Sequence, residues 1–372
     1  MKIIISPDAF KGTLTAMEAA KAIERGIKKV DATIETLCLP VADGGEGTME
    51  TLVEATGGKT IAVEVVDPLG REITATYGVL GDGVTCIIEM ASASGLTLVK
   101  RNELNPHIAS TFGSGQLIQA ALEANYRNFI ICLGGSATND AGIGMLRALG
   151  IRLLDENGLA IVPTIDGLYD VSTLDFKNWD YSLNEAHFVI ASDVSNPLIG
   201  ASGATYVYGP QKGVKQHELS FFDGALKIWA DVVEKQCGIS LHQLKGAGAA
   251  GGMGAALLGF LGAEFQQGIQ LVLNYLNYRE KIQQADLIIT GEGQSDEQTL
   301  YGKTAMGILQ VAKEQGIPCM LMSGHIPAYA KGKLEANFDQ VFAIVNEGIT
   351  KEMAMNEPAK QLTAAVQKYL FL

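Results

Sequence analysis

A short apolar strand, a polar loop and a helix follow one another at both ends of this chain, and that rhythm restricts the fold more than any other feature of the sequence. Lys2 to Ile5 reads as a strand, Ser6-Pro7-Asp8-Ala9-Phe10-Lys11-Gly12 as the loop after it. Thr15, with Glu18 three residues on, has the capping-box pattern that satisfies open N–H groups at a helix start. Ala19, Ile23, Ile27 and Val30 then recur at helical spacing and give that helix an apolar face. A second unit follows, with a strand near Ile34–Leu39, the loop Ala42-Asp43-Gly44-Gly45-Glu46-Gly47 and a helix to about Ala55. The rhythm returns at Asp286–Thr290, Pro318–Met322 and Val341–Val345. Such alternation implies a parallel sheet with helices on its faces.

The pattern changes between these stretches. From Thr60 to Met90 short alternating strands are separated by the turn signals Asp67-Pro68-Leu69-Gly70 and Gly81-Asp82-Gly83, which predicts antiparallel pairing. Further strands are expected at Phe129–Leu133 and Phe188–Ala191. The expected architecture is α/β: a Rossmann-like domain of residues 1–66 and 285–372, with residues 67–284 inserted as a second α/β domain. The length of 372 residues suits two domains.

Composition excludes several classes of function. A formal charge of −13 and a pI of about 4.9 offer no positive face for nucleic acid or an anionic membrane. The five cysteines (Cys38, Cys86, Cys132, Cys237, Cys319) are dispersed, as expected of reduced thiols in a cytoplasmic protein. The five histidines form no zinc motif. No signal peptide is visible, since the first apolar run ends before Asp8. The uncharged stretch Gly246–Ala263 is long enough to raise the question of a membrane span. Seven of its residues are glycine, however, so a glycine-rich turn leading into a buried helix is the better expectation.

The loops carry the chemistry. Open α/β sheets bind ligands beyond the carboxyl ends of their strands, where helix starts present N–H groups to anions. After Ile130–Leu133 come Gly134 and Gly135, which allow close backbone approach to a phosphate, and Ser136, Thr138 and Asn139, which add hydrogen bonds. The segment from Thr290 to Thr304 places Glu292 and Asp296 near Lys303. Its Gly302-Lys303-Thr304 suggests a Walker A loop, but that motif needs glycine where Glu297 stands. Gly246-Ala247-Gly248-Ala249-Ala250-Gly251 fits the dinucleotide fingerprint in letters only, because Leu241–Lys245 is a poor strand. No Gly-x-Ser-x-Gly elbow occurs. Asp193 directly follows an apolar strand, and Lys212 sits in the turn Gly209–Gly213. Each of these two alone is more often structural than functional.

Taken together, Ser6–Gly12, Ala42–Thr48, Gly134–Gly144, Ala191–Leu198, Tyr208–Gly213, Gly246–Gly254 and Gly291–Lys303 resemble the bacterial glycerate kinase family, in the same order across essentially the whole chain. The resemblance implies a Rossmann- or flavodoxin-like domain, an inserted domain resembling a restriction-enzyme fold, and an active site in the cleft between them. It also implies ATP and D-glycerate as substrates. Phosphoryl transfer needs charge neutralisation, a divalent metal and a group that orients the acceptor. The residues expected to meet these needs are Lys11 and Lys303 for phosphate charge, Glu292 and Asp296 for Mg²⁺, and Asp193 as base. Asp43, Gly134, Gly135, Ser136, Thr138, Asn139 and Lys212 are expected to bind substrate or phosphate. Which loop takes nucleotide and which takes glycerate stays open, as does an exchange of roles between Asp193 and Asp296. The 2-hydroxyl is favoured over the 3-hydroxyl as acceptor. A kinase for a related sugar acid and a non-catalytic sugar-acid-binding protein are the alternatives.

Overall fold

The structure is a computed structural model that describes residues 1–300, 304–346 and 348–370. The chain begins with β1 (Lys2–Pro7), α1 (Ala16–Val30), β2 (Glu35–Cys38) and α2 (Thr48–Thr56). Its middle carries β3 (Lys59–Val66), β4 (Glu72–Val79), β5 (Thr85–Glu89), α3 (Ala91–Ser94), α4 (Phe112–Glu123) and β6 (Asn128–Cys132). These lead to α5 (Ile143–Ala148), β7 (Arg152–Leu154), β8 (Thr173–Asp175), β9 (His187–Ala191), α6 (Ala204–Tyr208) and α7 (Leu219–Cys237). Then come α8 (Met253–Phe260), β10 (Glu264–Gln266), α9 (Gly268–Tyr275), α10 (Tyr278–Lys281) and β11 (Leu287–Gly291). The last elements are α11 (Thr304–Glu314), β12 (Cys319–Ser323), α12 (Ala328–Glu335), β13 (Gln340–Ala343), α13 (Lys351–Asn356) and α14 (Pro358–Tyr369).

Two compact units result: residues 1–43, 50–56 and 268–372, and residues 44–49 and 57–267. In the first, five parallel strands run in the order β13-β12-β11-β1-β2. Counted within the unit this is the doubly wound order 2-1-3-4-5, which reverses direction between β1 and β11. The α1 cap forms as the sequence predicts: the Thr15 hydroxyl accepts from Glu18 N–H (3.1 Å) and Glu18 accepts from Thr15 N–H (2.9 Å). Ala19, Ile23 and Ile27 are fully buried against Ile3, Ile5 and Ile289, whereas Val30 lies at the exposed end of the helix and leaves the apolar face.

The second unit holds a six-stranded sheet, β10-β9-β6-β5-β4-β3, and the separate hairpin β7-β8. Strands β3, β4 and β5 pair antiparallel, while β5, β6, β9 and β10 are parallel. Its core is built around Trp229, Phe129, Phe188 and Tyr77.

The units divide at 56 and 267, whereas the sequence pattern suggests 66 and 285. The physical reasons are local. β3 pairs with β4 along all its length, from Lys59↔Val79 to Val66↔Glu72, and so joins the second sheet. At the other boundary, Tyr278 of α10 is buried and its hydroxyl bonds Ser6 Oγ at 2.8 Å, tying that segment to β1. The stretch Gly246–Ala263 is a turn and then α8, whose Met253–Leu257 are buried. Among the described residues no helix is long and apolar enough to cross a membrane.

Candidate active site

The reversal between β1 and β11 makes the carboxyl edge of the first sheet its natural ligand site. Asp8 follows β1, Asp43 lies beyond β2, Glu292 follows β11, and His325 lies two residues past β12. With Lys11 and Thr304 they line a cavity of about 410 Å³. Backbone bonds lock these loops to one another: Asp8 N–H to Gly291 O (2.8 Å), Gly324 N–H to Glu292 O (3.0 Å) and Ser295 N–H to His325 O (3.0 Å). Gly291 is required here, because a Cβ at that position would stand 1.8 Å from Met322 O.

Asp8 is buried, and its carboxyl is pushed up to about 7 by burial first and then by the negative charges of Asp43 and Glu292. The Thr304 hydroxyl and Ala9 N–H (2.7 Å) donate to it and oppose that rise. Glu292 Oε1 accepts from Ser295 Oγ (2.9 Å) and Thr299 Oγ1 (2.7 Å), and Ser295 is held in turn by Ser323 (2.6 Å). Asp296 Oδ1 accepts from Gln298 N–H (2.8 Å), so one of its oxygens caps a turn while the residue still lines the cavity.

In the second unit the loop after β6 is folded inward. Lys212 is buried, and its ammonium donates to Ser136 Oγ and Thr138 O, both at 2.7 Å. Burial pushes its pKa down to about 7, against the attraction of Asp140. Asp140, buried as well, accepts from Thr111 N–H and Oγ1 (each 2.8 Å), Gly142 N–H (3.1 Å) and Gly144 N–H (3.3 Å). Burial raises its pKa and those bonds oppose the rise. Asn139 donates to Thr205 Oγ1 at 2.9 Å. The Gly246–Gly254 segment closes over this loop: Ala141 N–H reaches Gly251 O at 3.0 Å, and a Cβ on Gly251 would meet Thr138 O at 2.0 Å. Its glycines serve close backbone packing, and no strand precedes them.

Comparison with known proteins decides the family. The model of the glycerate kinase family matches residues 3–371. The chain belongs to the glycerate kinase family. A glycerate kinase of Bacillus subtilis is 45% identical over 362 residues, 97% of this chain and 95% of the relative. A glycerate 2-kinase of Escherichia coli is 41% identical over 345 residues, 93% of this chain and 91% of the relative. A solved chain from Salmonella typhimurium LT2, assigned as glycerate kinase 2, superposes with a TM-score of 0.89 at 40% identity, covering 99% of this chain and 96% of that one.

Against this glycerate kinase fold the residues expected from sequence separate into groups. Lys11, Asp43, Glu292 and Asp296 line one cavity of the first unit. Lys303 lies outside the described residues. Thr138, Asn139 and Lys212 are sealed inside the second unit, while Gly135 is exposed and Gly134 half-buried. Asp193 is exposed at the carboxyl end of β9. Register pairs Cys132 with Ala191, so Gly134 and Asp193 each stand two residues past the last pair of adjacent strands. Sequence reasoning missed Asp8, although it carries the signal used for Asp193, a carboxylate just after an apolar strand. It also missed Thr304 and His325, whose roles depend on neighbours 296 and about 30 residues away in the chain.

Proposed function

We propose that this chain transfers the γ-phosphoryl group of ATP to the 2-hydroxyl of D-glycerate, in the cytoplasm and with Mg²⁺. The observation that carries this reading is membership of the glycerate kinase family along essentially the whole chain. The name of the Escherichia coli relative supports the 2-hydroxyl. Five cysteines dispersed along the chain suit a reducing compartment.

The first unit's cavity suits the phosphate end of the reaction. Lys11 lines it and supplies positive charge to the transferring group. Burial and the like charges of Asp43 and Glu292 hold the Asp8 carboxyl up to about 7. Among the described residues no three His, Cys, Asp or Glu side chains form a cage of their own for a metal. Mg²⁺ is commonly held by one or two carboxylates together with phosphate oxygens and water. Glu292 and Asp296 are the residues proposed to hold it, Glu292 being oriented by Ser295 and Thr299. Bound there, Mg²⁺ supplies neutralisation of the charge on the phosphates.

For the acceptor, the second unit offers Gly134 and Gly135 backbone N–H groups for the glycerate carboxylate, with Ser136 behind them held by Lys212. Asp193 on the adjacent loop orients the hydroxyl and takes its proton late in a loose transition state. The test is ADP release with D-glycerate and Mg²⁺, followed by proton-coupled ³¹P NMR of the product. A phosphoester at C2 gives a doublet and one at C3 a triplet. No glycerate-dependent ADP release overturns the function, and a triplet overturns the regiochemistry alone.

A further inference from the structure

The lining of the first unit's cavity changes character across the sheet. Strand order sets Asp43 beyond β2, Asp8 beyond β1, Glu292 beyond β11, His325 beyond β12 and Val345 beyond β13. The β1 and β11 end is therefore acidic. The β13 end is mainly apolar: Ile344 and Val345 are joined there by Ala354 and Met355 of α13 and by Pro358 at the start of α14, with Lys351 at the first turn of α13 adding a positive charge. From β1 to β13 is three strand spacings, about 14 Å, a distance comparable to an extended nucleoside triphosphate. Met355 is 52% exposed on this wall, an apolar side chain left in contact with water. Midway, His325 has its Nδ1 buried with no hydrogen-bond partner, and buried polar atoms are seldom left so.

We propose that the apolar end of this cavity receives the purine base of the phosphoryl donor, with the triphosphate running past His325 toward the acidic end. The inference rests on the kinase reading and deepens it by assigning the donor to the first unit. Ligand sites of this size are mostly apolar, with a few placed polar groups that fix orientation. A planar base matches a wall of aliphatic side chains and a methionine, whose polarizable thioether packs well on aromatic faces. Glycerate has almost no apolar surface to offer such a wall. A ribose hydroxyl or phosphate oxygen gives His325 Nδ1 its missing partner.

Two measurements test this. The first is photolabelling of the unmodified protein with 8-azido-ATP and Mg²⁺, followed by peptide mapping. Labelling within residues 344–358, suppressed by excess ADP, is expected; ADP-protected labelling confined to residues 57–267 overturns the proposal. This readout needs no turnover, so protein that labels there yet fails to phosphorylate glycerate retains the base pocket and loses only the acceptor assignment. The second measurement uses Met355→Asp, on an exposed side chain, and Ala354→Phe, which fills the pocket. Each is expected to raise the KM for ATP by about tenfold or more, leaving the KM for glycerate within about twofold. Inorganic tripolyphosphate, which has no base, should inhibit both variants as it inhibits the parent. An unchanged KM for ATP in folded variants overturns the proposal.

Discussion

Two loops of this molecule begin alike and end in opposite states. Each follows a buried parallel strand and carries a buried aspartate. In the first unit Asp8 accepts from two donors among the described residues, Ala9 N–H and the Thr304 hydroxyl, and faces the negative charges of Asp43 and Glu292 in a cavity. In the second, Asp140 has four donated bonds and the attraction of Lys212, and it is closed to solvent. A buried carboxylate with its needs met rigidifies a loop, whereas one with a raised pKa in a cavity is a candidate functional group. A carboxylate in the loop after a buried strand does not by itself separate the two cases.

The comparison breaks most visibly if activity ignores the accessible groups. Asp193→Asn should lower kcat by roughly 10²–10⁴-fold, the usual worth of a general base, with nucleotide affinity little changed. Lys11→Met should lower kcat/KM by roughly 10²–10³-fold, the scale of losing one transition-state charge contact. Steady-state kinetics on folded variants check both. Near-normal values would reduce Asp193 to a turn residue and Lys11 to a solvated one.

Stability against pH sharpens the contrast, because the two buried charges work with opposite sign. Asp8 is raised from 3.8 to about 7 in the folded state, so the folded chain binds the extra proton between those values. Its contribution is complete below pH 3.8 and is lost as pH rises through 7. Lys212 is lowered from 10.5 to about 7, so the unfolded chain binds the extra proton between them. Its contribution is complete above pH 10.5 and is lost as pH falls through 7. Each slope is at most about 1.4 kcal/mol per pH unit, the value for one proton. Urea unfolding in chelator-containing buffer should show the Asp8 slope, Asp8→Asn should flatten it, and Mg²⁺ with nucleotide should weaken it. A slope that survives Asp8→Asn assigns it to another group.

Lys212→Met tests the closed network at smaller scale. It strips the donor from Ser136 Oγ and Thr138 O inside the protein, while relieving the cost of burying a charge. The net loss should be about 1–3 kcal/mol, the range for stranding a buried polar group. A change within about 0.5 kcal/mol, the usual span of a surface substitution, would show the network to be slack. The smallest expected effect is that of Thr15→Ala, far from either aspartate in role. Removing the α1 cap should cost about 1 kcal/mol, read as a shift in urea midpoint, with kcat unaltered.

Periodicity and local chemistry were enough to read several parts of this protein from its residues. Alternation of strand and helix gave the parallel first sheet, the turn signals gave the antiparallel β3-β4-β5 ribbon, and Thr15 with Glu18 gave the start of α1. These depend on neighbours within a few positions, where spacing and side-chain type dictate the backbone. The order of seven loop motifs was likewise enough to find the glycerate kinase family. Tertiary structure decided what no spacing encodes. Strand β3 belongs to the second sheet because β4 pairs with it, and α10 joins the first unit because Tyr278 reaches Ser6. The Asp8 carboxyl is pushed up to about 7 first by burial and then by the charges of Asp43 and Glu292, both distant in sequence. Lys212, Thr138 and Asn139 are expected from sequence to bind substrate or phosphate, and only the folded chain shows that they are buried and hydrogen-bonded to neighbours. Charge, burial and like-charge repulsion act through space, so residue order cannot set them until the chain has folded.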